Sequence, residues 1–291
     1  MQSLKAIATD KEFQEILEKM KQKSQKSSET TPHQEYDCPK CKDEGGYMVW
    51  KKAGETTLVR IEGRFEEIEL ENDSEEWVEC ECAKIRKINR LIKSSEITAE
   101  FQKMGFSNFT TGGKAQIVQI MKDTCLKYYE SFNEIRSARK NSVLLIGQPG
   151  SGKTHLLTAI SNNLIKKKVV PVMYFPFRDG MNEISANNFE KKTEIMERMK
   201  DVEVLFIDDL FKPIGGKIDV KSWQADIIFE VINYRYLNNK PLLVSSELSL
   251  DELLYVDEAT ASRIFEMAED FTVTIKRDIK INYRLRNVVG G

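Results

Sequence analysis

The sequence has no apolar run long enough to cross a membrane, and this absence excludes membrane-spanning proteins first. Its apolar stretches fall short of the roughly 18 residues that a transmembrane helix needs. The amino-terminal segment that begins Met1-Gln-Ser-Leu also lacks the apolar core and cleavage site of a secretory signal. We therefore expect a cytoplasmic protein that does not engage a membrane.

An excess of charge of one sign is also missing. The 291 residues include 44 Lys and Arg against 46 Asp and Glu, which gives a net charge of −2. Overall charge therefore does not by itself indicate a nucleic-acid-binding protein. The length accommodates two domains. We expect an N-terminal domain over residues 1–95 and a second domain over residues 96–291.

Cysteine is scarce, with five in the chain, and stable disulfides are rare in the cytoplasm. Four cysteines form two close pairs, Cys38-Pro-Lys-Cys41 and Cys80-Glu-Cys82. Four thiolates satisfy a tetrahedral Zn²⁺, so the spacing predicts a structural zinc site. His33 could replace one of these ligands. A redox C-x-x-C motif is the rival interpretation, although no thioredoxin-like pattern surrounds the first pair.

The chain does contain a complete phosphate-binding motif. Residues Gly147-Gln148-Pro149-Gly150-Ser151-Gly152-Lys153-Thr154 match G-x-x-x-x-G-K-[ST] between an apolar run and a helical pattern. The glycines let backbone amides close around phosphates at a helix N-terminus. We expect Lys153 to reach the β- and γ-phosphates and the Thr154 hydroxyl to ligate Mg²⁺. The motif predicts an ATP site.

Strand-like and helical segments alternate from residue 141 onward, which predicts a parallel sheet covered by helices on both faces. The strand patterns cover 143–146, 170–174, 204–207, 242–245 and 271–275. The third pattern ends in Asp208 and Asp209. We expect Asp208 to orient Mg²⁺ and Asp209 to polarise the attacking water. An ordinary strand followed by a helix-capping aspartate is the alternative.

Several motifs together resemble the AAA+ ATPases of the DnaC/DnaI-type helicase-loader family, most closely its phage and prophage members. The motifs are Phe106-Ser-Asn-Phe109, the P-loop with His155-Leu156, Ile207-Asp-Asp-Leu-Phe-Lys212, Ile232-Asn-Tyr-Arg-Tyr236, Leu243-Val-Ser-Ser-Glu247, Ser262-Arg-Ile264 and Ile281-Asn-Tyr-Arg284. The resemblance implies an α/β AAA+ P-loop domain without a C-terminal lid domain. A small zinc-binding domain is expected to precede it.

The resemblance also implies roles for single residues. Phe109, in the segment that precedes the adenine pocket, and His155 would bind the nucleotide. Ser246 or Glu247 would take the sensor position near the γ-phosphate. Arg263 would be an arginine finger toward ATP on a neighbouring subunit, which implies self-association. A surface arginine that only packs its helix is the alternative for Arg263.

The implied function is ATP-dependent loading of the replicative DNA helicase onto single-stranded DNA. An IstB-type transposition helper ATPase is one alternative, and a nucleotide-switched adaptor with little hydrolysis is another. Contacts to single-stranded DNA are expected from an aromatic residue and nearby cations, and solvated surface is the alternative for these charges. The chosen residues are Phe177, Arg178, Lys212 and Lys217.

The N-terminal domain is expected to bind the helicase hexamer. Its first helical pattern carries an apolar stripe that either docks on the helicase or packs on its own domain. The stripe consists of Phe13, Ile16, Leu17 and Met20. The basic segment 84–93 is a second candidate for DNA contact.

Overall fold

The structure is a computed structural model that describes residues 36–61, 64–111, 116–187 and 189–285, without the side chains of 58–61 and 64–66. The apolar stripe between Phe13 and Met20, together with His33, lies outside the described residues. The chain divides into two compact units, Met1–Ala83 and Lys84–Gly291. The helix α1 (Glu81–Ser94) runs through this division, and the domain boundary after residue 95 stays a prediction.

The first unit contains two antiparallel strand pairs. Strand β1 (Gly46–Lys51) pairs with β4 (Ser74–Glu79), and β2 (Thr56–Ile61) pairs with β3 (Arg64–Glu69). Strands β2 and β3 are consecutive in the chain and antiparallel, as in a hairpin. The acidic composition of β4 concealed its strand character in the sequence, although its residues alternate between half-buried and exposed as a strand requires.

The second unit is built on a five-stranded parallel sheet with the order β6-β7-β8-β5-β9. This arrangement confirms the predicted α/β fold, and each predicted strand pattern overlaps an observed strand. The strands are β5 (Val143–Gly147), β6 (Val172–Pro176), β7 (Val204–Asp208), β8 (Leu242–Ser246) and β9 (Thr272–Ile275).

Helices cover both faces of this sheet because both faces are apolar. Along β5, Val143 and Leu145 enter one core while Leu144 and Ile146 enter the other. The helices are α2 (Gln116–Ile135), α3 (Lys153–Lys168), α4 (Phe177–Ala186), α5 (Phe189–Asp201), α6 (Ser222–Leu237), α7 (Leu250–Val256) and α8 (Glu258–Met267). None of the helices in the described part of the chain is long and apolar enough to cross a membrane.

A fully buried arginine joins the ends of three elements on the α5 side of the sheet. Arg235 donates hydrogen bonds of 2.7–3.1 Å to five backbone carbonyls, those of Met199, Lys200, Val202, Glu203 and Pro241. These carbonyls belong to the end of α5 and to the segments that precede β7 and β8. Arg235 therefore fixes the starting points of the two strands that end at the candidate site.

Candidate functional site

The phosphate-binding loop lies between the end of β5 and the start of α3. Gly147 has φ +103°, and a Cβ atom there would lie 2.1 Å from the Ile275 carbonyl oxygen. Gly152 has φ +101°, and a Cβ atom there would lie 2.6 Å from the Phe109 ring. Positive φ and close packing both require glycine at these two positions. The loop is therefore set by β9 on one side and by the Phe109 segment on the other.

Lys153 begins α3 and is buried, with 5% of its surface exposed. Its Nζ donates to the carbonyls of Gly147 at 2.7 Å and Gln148 at 2.8 Å. Burial lowers the pKa of Lys153 to about 8, although the nearby carboxylates of Asp209 and Glu247 act in the opposite direction. A cation held in this desolvated position attracts anionic groups strongly.

Asp208 ends β7 and is also buried. Its Oδ1 accepts hydrogen bonds from Thr154 Oγ1 at 2.9 Å and Ser245 Oγ at 2.6 Å, and its Oδ2 accepts one from the Tyr174 hydroxyl at 3.2 Å. Burial raises the pKa of Asp208, against the hydrogen bond from Ser245. The structure thus brings Thr154, the last residue of the P-loop after β5, to the acid at the end of β7, although β8 lies between these two strands in the sheet.

Asp209 and Glu247 follow β7 and β8 and face the same space, as expected where parallel strands end at one edge. Lys212 lies between them, with Nζ 2.6 Å from Asp209 Oδ2 and 3.3 Å from Glu247 Oε1. The backbone of Asp209 is in the left-handed region, with φ +56°, and its N–H donates to Ser245 Oγ at 2.9 Å.

The P-loop and the acids that end or follow β7 and β8 border a cavity of about 450 Å³, a volume within the usual range for small-molecule sites. P-loop residues 149–155 form one wall, and Asp208, Asp209 and Glu247 lie at the polar end. The apolar end is bordered by Phe101, Met104 and Phe109. One end thus suits phosphates and the other suits an aromatic base.

The apolar end is organised by contacts to His155. Its Nε2 lies 3.1 Å from the Gly105 carbonyl oxygen and 3.2 Å from Asn108 Oδ1, and its ring packs edge to face on Phe109 at 5.2 Å. Asn108 also lines the cavity but was not chosen from the sequence. Its position within the segment 106–109, which resembles the family, was the available signal.

A segment near residue 283 also reaches the cavity. The Tyr283 N–H donates to the Gly150 carbonyl at 2.8 Å, and both Tyr283 and Arg284 line the cavity. Gln148 and Ser151 also hold the loop in place through hydrogen bonds. Ser151 Oγ donates to the Gln148 carbonyl at 3.0 Å, and the Gln148 amide exchanges hydrogen bonds with the backbone of Asp278.

The structure corrects two of the predicted site residues. Ser246 is fully buried and its Oγ donates to the Leu210 carbonyl at 2.7 Å, so it is not among the residues that line the cavity, whereas Glu247 is. Phe177 is 5% exposed and packs edge to face on Phe211 at 5.4 Å. Its ring cannot stack on a nucleic-acid base in this packing, so that prediction is wrong.

The other expected DNA contacts differ in environment. Arg178 and Lys217 are exposed, and Lys217 forms a tight backbone bridge with Ile214. Lys212 is engaged by Asp209 and Glu247 as described. A DNA-binding role for these three cations stays a prediction.

Arg263 lies on α8 and does not line the cavity of its own chain. Its guanidinium carbon lies 5.4 Å from the Phe229 ring centroid and 5.5 Å from that of Tyr236, and Nη1 donates to the Ala259 carbonyl at 2.7 Å. Its Nε is buried without a hydrogen-bond partner in the structure. Two aromatic rings of α6, those of Phe229 and Tyr236, thus hold the guanidinium of Arg263.

The four paired cysteines converge in the first unit. All four sulfurs lie within 4.8 Å of one another, with Cys38–Cys80 at 3.7 Å and Cys41–Cys82 at 3.3 Å. Zn–S bonds of about 2.3 Å in a tetrahedron place sulfurs about 3.8 Å apart, so this cluster could hold Zn²⁺. Burial acts to raise the pKa of Cys41, but hydrogen bonds from Cys82 and the Gly45 backbone outweigh it and lower the pKa to about 6.

The parallel sheet, the P-loop and the acids at the ends of neighbouring strands define a P-loop nucleotide-binding domain of the AAA+ class. The chain belongs to the family of the bacterial DnaA ATPase domain, whose model matches residues 101–268. The members of that family are ATPase domains.

Two proteins of Bacillus subtilis (strain 168) are similar over most of their length. YqaM is 42% identical over 308 residues, covering 97% of both chains. The phage-like element PBSX protein XkdC is 44% identical over 254 residues, covering 87% of this chain and 88% of that protein.

The crystal structure of DnaI shares the fold, with a TM-score of 0.50 and 21% identity over 62% of this chain and 94% of that chain. The chain thus shares the fold of DnaI and has a similar protein in a phage-like element, and both findings agree with the resemblance seen in the sequence.

Proposed function

We propose that the protein is an ATPase that loads a replicative DNA helicase onto single-stranded DNA. The single observation that carries this proposal is the cavity in which Lys153, Thr154, Asp208 and Asp209 converge. The DnaA ATPase-domain family and the DnaI-like fold support a role in starting replication.

The residues of the cavity fit Mg²⁺ and ATP. The hydroxyl of Thr154 and the carboxylate of Asp208 are hard oxygen donors 2.9 Å apart, of the kind that Mg²⁺ prefers. Lys153 and the amides of the P-loop would hold the phosphates. When bound, Mg²⁺ neutralises charge on the terminal phosphates.

Hydrolysis in this site needs a group that accepts a proton from water. Water forms a bond to the γ-phosphorus, the bond to the ADP oxygen breaks, and the proton of the water passes to a carboxylate. Asp209 is the cavity-lining acid that we assign to this role. Glu247 takes the sensor position at the end of β8.

Self-association would bring a further positive charge to the ATP site. Arg263 does not line the nucleotide cavity of its own chain, so its guanidinium could instead reach the ATP bound to a neighbouring subunit. An arginine finger stabilises the charge that develops on the transferred phosphoryl group. Exposed Arg178 and Lys217 are the proposed contacts for single-stranded DNA.

We further propose that Cys38, Cys41, Cys80 and Cys82 hold one structural Zn²⁺. The strands of the first unit are short pairs, and a metal would supply folding free energy that such a small unit lacks. We assign this N-terminal region, with residues 1–35, to helicase binding.

The functional test is capture of partners from a bacterial lysate in the presence of ATP. Immobilised wild-type protein should retain the hexameric replicative helicase, and Lys153→Ala should retain less of it. Recovery of a transposase, with no helicase, would instead support the IstB-type alternative.

One observation favours a second candidate, an adaptor that binds ATP but hydrolyses little. The carboxylate of Asp209 has its Oδ2 engaged by Lys212 at 2.6 Å, so that oxygen is not free to bind the attacking water. Turnover measured with and without single-stranded DNA separates the two functions. The loader requires turnover that DNA increases, whereas the adaptor shows binding with negligible turnover under both conditions.

A further inference from the structure

The turn that follows β7 places a lysine against the carboxylate proposed to activate water. Lys212 Nζ lies 2.6 Å from Asp209 Oδ2 and 3.3 Å from Glu247 Oε1. Both carboxylates line the nucleotide cavity. The lysine thus connects the two acids that follow neighbouring strands and border the cavity.

The backbone of this turn brings Lys212 back over Asp209. Asp209 has φ +56° and Phe211 has φ +55°, and the Lys212 N–H donates to the Asp209 carbonyl at 3.0 Å. Left-handed conformations are uncommon for residues other than glycine, and they persist where surrounding contacts hold them. The ion pair is therefore built into the turn and does not result from a chance rotamer.

Buried contacts hold the turn from both sides. Leu210 and Phe211 are at most 1% exposed, and Phe211 packs edge to face on Phe177. The Leu210 N–H donates to the Ser245 carbonyl at 2.8 Å, and its carbonyl accepts from Ser246 Oγ at 2.7 Å. Phe177 and Ser246, which do not reach a ligand, thus have a structural role in fixing this turn.

The three charged side chains are only partly solvated, with exposures of 33% for Lys212, 28% for Asp209 and 20% for Glu247. Burial acts to lower the pKa of Lys212, but the two ion pairs outweigh it and raise the pKa, so the lysine stays charged at neutral pH. The ammonium group already engages one oxygen of the Asp209 carboxylate, so that oxygen is not free to accept a hydrogen bond from water.

We propose that Lys212 is a positioning residue that holds Asp209 against Glu247 in the resting protein and thereby keeps basal ATP hydrolysis slow. This inference rests on the proposed ATPase function. Hydrolysis requires the ion pair to open, so that Asp209 can accept a hydrogen bond from the attacking water.

The test compares steady-state ATP hydrolysis by wild type, Lys212→Met and Lys212→Arg. Methionine retains the length of the side chain and removes the charge, so basal kcat should rise on the order of tenfold, the rate equivalent of one weakened ion pair. KM and ATP affinity should not change. Lys212→Arg keeps the charge and should remain slow.

Lys140→Met is the matched control. Lys140 also pairs with two acids, Glu269 at 2.8 Å and Asp270 at 3.9 Å, and it does not line the cavity. Its replacement should leave kcat unchanged. A lower or unchanged kcat in Lys212→Met, with ATP affinity intact, would overturn the inference and leave the ATPase assignment standing.

A second measurement does not depend on turnover. Thermal unfolding of Lys212→Met, Asp209→Asn and the double variant forms a double-mutant cycle. If the ion pair restrains Asp209, the Tm shift of the double variant should differ from the sum of the shifts of the two single variants. Additive shifts would overturn the inference. Failure of wild type to bind ATP would overturn the proposed function, while the cycle would still report on the ion pair.

Discussion

At the scale of the residue, the buried ammonium group of Lys153 governs the phosphate site. The pKa of Lys153 is lowered to about 8 by burial, so the protein without ATP loses this charge as pH rises through that value. Bound phosphates favour the protonated form. We therefore predict that ATP affinity is greatest below pH 8 and falls above it, by up to about tenfold per pH unit.

Calorimetric titration with ATP at pH 7, 8 and 9 checks this prediction. Asp209→Asn should retain the fall in ATP affinity but move it to lower pH, because it removes a carboxylate that raises the pKa of Lys153. Equal wild-type affinity at pH 7 and pH 9 would show that Lys153 is not the titrating group.

The sequence predicted those residues whose placement is a local property of the chain. The P-loop spacing and the acids after an apolar strand place Lys153, Thr154 and Asp208 without long-range information. The choice between Ser246 and Glu247 depends on which of two successive residues faces the cavity, and strand packing decides it.

Other features could not be predicted because they depend on tertiary contacts. Phe177 is adjacent to a cation in the sequence, but its ring packs against Phe211, which lies 34 residues further along the chain. The ion pair of Lys212 with Asp209 depends on two left-handed residues that no residue-type preference would place there.

At the scale of the element, we propose that the folding of the first unit depends on the cysteine cluster. We predict one Zn²⁺ per chain. Cys38→Ser combined with Cys80→Ser should release it, and the strand pairs of the first unit should then unfold because two thiolates do not satisfy a tetrahedral ion. Elemental analysis and circular dichroism measure both effects.

Cys125→Ala is the control, because Cys125 is fully buried in the core of the second unit and is not one of the four clustered cysteines. It should retain the metal. Wild-type protein without zinc, or zinc retained by the double serine variant, would contradict the assignment.

In the second unit, the feature that links several elements is the buried side chain of Arg235. Arg235→Met would leave five carbonyls without their donor. We predict a loss of about 3 kcal/mol in the free energy of unfolding, since unsatisfied buried acceptors cost about 1–3 kcal/mol each and some will regain water. Urea unfolding measures this loss.

Arg198→Met provides the comparison, because Arg198 pairs with Glu96 at the surface at 2.5 Å. Its cost should stay below about 1 kcal/mol. Similar losses in the two variants would mean that the network around Arg235 adds no stability of its own.

At the scale of the whole molecule, the position of Arg263 predicts that the active species is an oligomer. Arg263→Ala should bind ATP normally, and its hydrolysis should fall on the order of 10³-fold. Mixing it with Lys153→Ala should restore part of the activity, because some interfaces then combine an intact P-loop with an intact Arg263. Absence of recovery in a mixture shown to co-assemble would place Arg263 outside the neighbour's site.

The central claim is that the cavity between the P-loop and the acids after β7 and β8 binds and hydrolyses ATP. The most direct measurement is ATP binding and turnover compared in wild type, Lys153→Ala and Asp209→Asn. We predict that wild type binds and hydrolyses ATP, that Asp209→Asn binds it with little turnover, and that Lys153→Ala does neither. Unchanged ATP affinity in Lys153→Ala, while the protein remains folded, would contradict the claim.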